Sequence, residues 1–200
     1  MEFPLNPTGA CRSLALFPGS FHPVTRAHLA LARAALDHLD RVLFVLPRHF
    51  PHKQYEDVPL AHRMEILISA LQAEHRFSAA ISDGGLFIEM VRECGPHYPE
   101  QTTIWMLCGR DAAERIVEWD YTDGPSLPQQ LKEFGLLVAA RQGDYIAPAH
   151  LRDHIRTLPL PTGYDHISAT LIRRLIRNGE PWEHLVPEAA LPLVRRHYTR

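Results

Sequence analysis

The stretch Gly19-Ser20-Phe21-His22-Pro23-Val24-Thr25-Arg26-Ala27-His28-Leu29 decides how this chain is read. It follows a short apolar run, Leu14-Ala15-Leu16-Phe17, and opens an apolar-periodic segment over 27–39. A strand, a Gly-Ser turn and a helix N-terminus in that order make an anion site. Unpaired amides and the positive end of the helix dipole both face the turn. Thr25 and His28, three apart on the first helical turn, share one face and point toward the same pocket. That arrangement suits a nucleotide triphosphate.

Working outward, short β-rich runs alternate with longer helical ones. Strands are expected over 14–17, 41–46, 77–81, 102–108 and 135–140, several of them apolar almost throughout. Helical periodicity covers 27–39, 60–71, 87–93, 111–117 and 127–134. This alternation predicts βαβ units and an α/β fold with a Rossmann-like, doubly wound parallel sheet. The proline-rich Leu158-Pro159-Leu160-Pro161 reads as a short edge strand or an extended linker. Two further helices are expected over 169–177 and 188–198, with Asn178-Gly179 as the stop between them. Residues 1–12 read as a loosely held tail and 13–200 as one domain, its helical C-terminal part starting near 166. No internal repeat or low-complexity segment interrupts it.

Composition narrows the classes. With 200 residues and 46% hydrophobic content the chain can bury a core of ordinary size. A net charge of −2 gives no broad attraction to nucleic acid or a membrane surface, so neither is expected as a partner. Cys11, Cys94 and Cys108 are few and far apart, which suits free thiols in a reducing, cytoplasmic setting. No apolar run approaches the roughly 20 residues that span a bilayer. The N-terminus lacks the basic start and apolar middle of a signal peptide. His150 with His154, and His49 with His52, each lack a third ligand nearby, so no metal site is expected.

Other segments carry chemistry. In Ile167-Ser168-Ala169-Thr170-Leu171-Ile172-Arg173, Ser168 is a good N-cap and Thr170 falls in the first turn. Their hydroxyls and the local amides would meet anionic oxygens, with Arg173 adding charge. Alone, this could be an ordinary capped surface helix. Cys108-Gly109-Arg110-Asp111 follows an apolar strand, and Asp111 could equally be a plain N-cap.

These segments together carry a resemblance. Gly19-Ser20-Phe21 through Thr25 and His28-Leu29 is similar to the T/H-x-G-H signature of the nucleotidyltransferase superfamily, and 167–173 resembles its I-S-S-T-x-I-R. Within that superfamily the chain resembles the bacterial nicotinate mononucleotide adenylyltransferases. Pro51-His52-Lys53 resembles their P-H-K, and Arg141-Gln142-Gly143 resembles R-P-G. His62-Arg63-Met64-Glu65 resembles their R-x-x-M helix, although Arg63 by itself reads as a surface residue. Trp119, eight residues beyond Asp111, matches the family tryptophan, and Gly179 with Leu185-Val186-Pro187 matches its C-terminal pattern.

The resemblance implies transfer of AMP from ATP to nicotinate mononucleotide, with Mg²⁺ accompanying the ATP. It assigns catalytic roles to His28, Thr25, Lys53 and Arg173. ATP would lie against Gly19, Ser20, Phe21, Gly109, Asp111, Arg141, Ser168 and Thr170. The acceptor would meet Trp119, Lys53 and the amides of Gly84 and Gly85. The chain also departs from the pattern: Thr25 stands where His is usual, Ala27 and Ala169 replace Gly and Ser, and His22 replaces Asp or Asn. The family's S-Y-T is missing from Asp83-Gly84-Gly85-Leu86-Phe87-Ile88-Glu89. Two other readings therefore stay open: a related enzyme with another phosphorylated acceptor such as phosphopantetheine, and a nucleotide-binding module without catalysis. Oligomeric state also stays open.

Overall fold

The computed structural model describes residues 1–6, 11–49, 58–121, 124–140, 145–159 and 162–199. Its strands are β1 (Glu2–Leu5), β2 (Ser13–Pro18), β3 (Arg41–Pro47), β4 (Phe77–Ser82), β5 (Thr103–Gly109), β6 (Gly135–Ala140) and β7 (Ile155–Pro159). The helices are α1 (Arg26–Ala35), α2 (Leu60–Leu71), α3 (Phe87–Cys94), α4 (Arg110–Glu118), α5 (Leu127–Gln130), α6 (Ala169–Asn178) and α7 (Leu191–Tyr198).

The strands form one sheet in the order β1-β4-β3-β2-β5-β6-β7, parallel except for β1. Side chains alternate across it. Ala15, Phe17, Val42, Phe44 and Leu46 face one core, which α1, α2, α6 and α7 complete. Leu14, Leu16, Leu43 and Val45 face the other, with residues of α3, α4 and α5. Covering on both faces is why these strands read as continuous apolar runs. The strand order reverses between β2 and β5, and ligand crevices in such sheets open at the strand C-termini of that reversal. The Gly19 turn follows β2 there, and Gly109 ends β5 beside it.

Several boundaries differ from expectation: α1 ends at Ala35 and α5 at Gln130, each four residues short of the expected 39 and 134, and three others differ as follows. Residues 2–5, read as loose tail, pair antiparallel with β4, matching Glu2 to Ile81 and Leu5 to Ala79. Four residues carrying a Glu and a Pro are too few to show a period. The last strand begins at Ile155, ahead of the proline-rich stretch, because Ile155 and Leu158 turn inward. It is an edge strand, as proline favours. The final helix starts at Leu191, preceded by a 3₁₀ turn over Glu188–Ala190. Gly179 stops α6 with φ of 69°, the left-handed cap that glycine adopts without penalty. No described helix is long and apolar enough to cross a membrane.

Candidate nucleotide-binding site

The Gly19 turn is held before any ligand arrives. The amide of Gly19 donates to the carbonyl of Val45 at 3.0 Å. The ring of Phe21 folds back so closely that a Cβ on Gly19 would lie 2.9 Å from its Cζ, which requires glycine there. Phe21 has φ of 40°, a left-handed conformation that costs a bulky residue about 1–3 kcal/mol. Its ring is buried among Phe17, Phe44 and His28, with centroids 5.5, 5.4 and 5.2 Å away. The sequence motif puts Phe21 against ATP. The buried ring instead packs edge-on against that of His28, because an apolar ring next to this core is better buried. The His22-Pro23 peptide is cis.

Thr25 is the N-cap of α1 and is fully buried. Its Oγ1 accepts the amide of His28 at 3.2 Å, and its own amide donates to His28 Nδ1 at 3.0 Å. This is a capping box in which histidine takes the place of the usual glutamate. A ring nitrogen that accepts an amide proton carries none itself, so the neutral tautomer with the proton on Nε2 is assigned. In that tautomer Nε2 carries the ring N–H. The phosphate contact expected of the Thr25 hydroxyl is not what this geometry provides: that oxygen serves the cap and the ring, and none of its surface is exposed.

The second motif meets the first. Ser168 is the N-cap of α6, its Oγ accepting the amide of Leu171 at 3.1 Å, while Thr170 lies exposed in the first turn. Arg173 donates to the carbonyl of His22 at 2.6 Å and to Thr170 Oγ1 at 3.3 Å. Among the described residues it forms no ion pair, so its charge is not neutralised by a carboxylate there. Arg63 of α2, read from the sequence as a surface residue, is 5% exposed and donates to the carbonyl of Ser20 at 2.9 Å. Its neighbours Met64 and Leu67 are core residues, and an arginine beside that apolar row was the available signal.

Gly109 caps α4 with φ of −79°, and a Cβ there would meet nothing within 4 Å. It therefore leaves open space at the end of β5. Asp111 is not the N-cap; it lies exposed in the first turn of α4, where a carboxylate suits the dipole. Trp119 follows α4 and is 54% exposed, unlike a core tryptophan. Lys53 and Arg141 lie outside the described residues.

The acceptor loop requires a correction. The amide of Gly84 donates to Glu93 at 2.6 Å, and those of Gly85 and Leu86 both donate to Glu89 at 2.9 Å. The amide of Asp83 donates to Glu93 at 3.1 Å. Four successive amides are thus met by the chain's own carboxylates, and those of Gly84 and Gly85 are not presented to an acceptor. A glycine pair ahead of a helix has the look of an anion receptor; the glutamates one and two turns into α3 already fill it.

The family model described as Cytidylyltransferase-like matches residues 16–175. A protein of Thermus thermophilus named "Probable nicotinate-nucleotide adenylyltransferase" is 31% identical, covering 92% of this chain and 97% of its own length. One of the same name from Prosthecochloris aestuarii is also 31% identical, covering 87% of this chain and 91% of its own. Among solved structures, Plasmodium falciparum nicotinic acid mononucleotide adenylyltransferase complexed with NaAD superposes with a TM-score of 0.67 at 15% identity. That match covers 92% of this chain and 95% of the other. The chain belongs to the cytidylyltransferase-like family and, with the nicotinate-nucleotide adenylyltransferases, is a nucleotidyltransferase.

Proposed function

We propose that the protein transfers AMP from ATP to the phosphate of nicotinate mononucleotide, releasing pyrophosphate, as a step of NAD biosynthesis in the cytoplasm. The observation that carries this reading is the meeting of two helix N-termini through Arg173 and the His22 carbonyl. The names of the relatives support the acceptor.

An oxygen of the acceptor phosphate attacks the α-phosphorus of ATP. The new O–P bond forms as the bond from that phosphorus to the β-bridging oxygen breaks, and pyrophosphate leaves with the electron pair. The attacking oxygen is already anionic, so positioning and charge stabilisation carry the catalysis. His28 donates from Nε2 to an α-phosphate oxygen, with Thr25 holding its tautomer. Ser168, Thr170 and Arg173 hold the polyphosphate, and Lys53 and Arg141 add positive charge. Gly109 leaves room for the nucleoside, flanked by Asp111, and Trp119 stacks on the acceptor ring.

Among the described residues no three His, Cys, Asp or Glu side chains could hold a metal ion. The side chains proposed to meet the phosphates are cationic, hydroxyl or imidazole N–H groups, which suit phosphate, with the Asp111 carboxylate placed beside the nucleoside instead. Mg²⁺ accompanying ATP would be held mainly by the ATP oxygens and would supply charge neutralisation. The thiols take no part: Cys94 and Cys108 are buried, and burial pushes both up to about 12.

The occupied amides at Asp83–Leu86 favour a second reading, in which the acceptor ring carries an uncharged carboxamide. Pyrophosphate release from ATP with nicotinate, nicotinamide and pantetheine phosphates decides among these. The nicotinate compound should give the highest kcat/KM. A preference for nicotinamide establishes the second reading, and no release with any acceptor overturns both.

A further inference from the structure

We propose that Tyr198, in the last turn of α7, is a positioning residue for the triphosphate site. This rests on the adenylyl-transfer reading of that site. The Tyr198 hydroxyl and His22 Nδ1 share a hydrogen bond of 2.5 Å, and the two rings lie 5.2 Å apart. His22 is only 2% exposed, so this bond forms away from competing water.

What makes His22 more than a packed residue is its other connections. Its carbonyl is the acceptor of Arg173. The residue before it, Phe21, holds its ring 5.2 Å from that of His28. The residue two before it, Ser20, is fixed by Arg63. Three elements therefore grip one short loop: α2 through Arg63, α6 through Arg173, and α7 through Tyr198. Arg63 and Arg173 hold main-chain oxygens, whereas Tyr198 holds the His22 side chain and with it the direction of that residue's carbonyl. A shift of His22 moves the acceptor that aims Arg173 and loosens the packing behind His28. Tyr198 acts through His22, a residue that stands where the family pattern has Asp or Asn.

The test uses the whole chain with Tyr198→Phe, His22→Phe and the double variant. Calorimetry gives the Kd for ATP, pyrophosphate release gives kcat, and thermal melting reports the fold. Tyr198→Phe keeps the ring and should weaken ATP binding about tenfold, the scale of one hydrogen bond, while melting changes little. In the His22→Phe background, which keeps a ring but has no Nδ1, the same change should alter the Kd less than about twofold, because the bond is already gone. An unchanged Kd in Tyr198→Phe overturns the proposal, as does an equal loss in both backgrounds or a loss confined to melting. A wild-type protein that binds ATP yet releases no pyrophosphate sinks adenylyl transfer alone, since the Kd comparison still decides the role of Tyr198.

Discussion

The guanidinium of Arg173 donates to the carbonyl of His22 at 2.6 Å, tying together two segments 151 residues apart. Its other nitrogen reaches Thr170 Oγ1 at 3.3 Å, so the plane of the group is fixed at two points. Lysine carries the same charge as a single point without that fork. Arg173→Ala should lower kcat/KM about 10²–10³-fold, by analogy with the loss of one transition-state donor. Arg173→Lys should recover only part of this, with the loss showing in kcat as well as in the KM for ATP. Steady-state pyrophosphate assays check both, and full activity in the lysine variant would reduce Arg173 to a charge.

Thr25 and His28 act as a pair. Thr25→Val keeps the shape of the side chain but removes the cap oxygen and its contact with Nδ1. It should cost about 1 kcal/mol of stability, as N-cap losses do. Turnover should also fall, since the imidazole loses part of what orients it, while Thr25→Ser should restore both. His28→Ala sets the scale: turnover should fall at least about a hundredfold while the fold survives. Thermal melts and turnover measured on the same preparations separate the two effects.

The sheet and both helix ends are legible in the sequence because they depend on local rules. Apolar strands, a Gly-Ser turn and Ser or Thr at N-caps each announce themselves within a few residues. Side chains acting across the fold do not. Arg63 and Tyr198 lie 43 and 176 residues from their partners in the loop, and no spacing rule links them. Gly84 and Gly85 mislead for the opposite reason. Their backbone is a source of amides, as the sequence suggests, but Glu89 and Glu93 already occupy them from within the chain. Thr25 belongs to the expected helix start yet makes a different contact, since its hydroxyl is satisfied by the cap.

Gly109 offers a test that leaves the fold alone. Its φ is one any residue adopts, and a methyl there would touch nothing within 4 Å. Gly109→Ala should therefore melt at or slightly above the wild-type temperature, because alanine lowers the entropy of the unfolded chain. If the nucleoside lies over this position, the methyl should weaken ATP binding by at least about tenfold, near 1.4 kcal/mol. Calorimetry with ATP checks it, and unchanged affinity would move the nucleoside elsewhere.

Acid should destabilise the protein partly through His197. Burial lowers its pKa below the ordinary imidazole value, and the neighbouring His62 and Arg196 lower it further, while Glu65 at 3.6 Å opposes them. The His62 ring stacks on it with centroids 4.0 Å apart. The folded protein thus resists a proton that the unfolded chain takes up near pH ~6.5. Between that pH and the lower folded value the unfolded state binds more protons, so stability is complete above about 6.5 and declines as pH falls. His197→Phe retains a ring against His62 and removes the titration. Its melting temperature should drop less than that of the wild type when the pH is lowered from about 7.5 to about 5.5, by about 2–4 °C for each 1 kcal/mol of relief. Parallel acid dependence in the two proteins would place the sensitivity in other groups, since everything else that titrates is common to both.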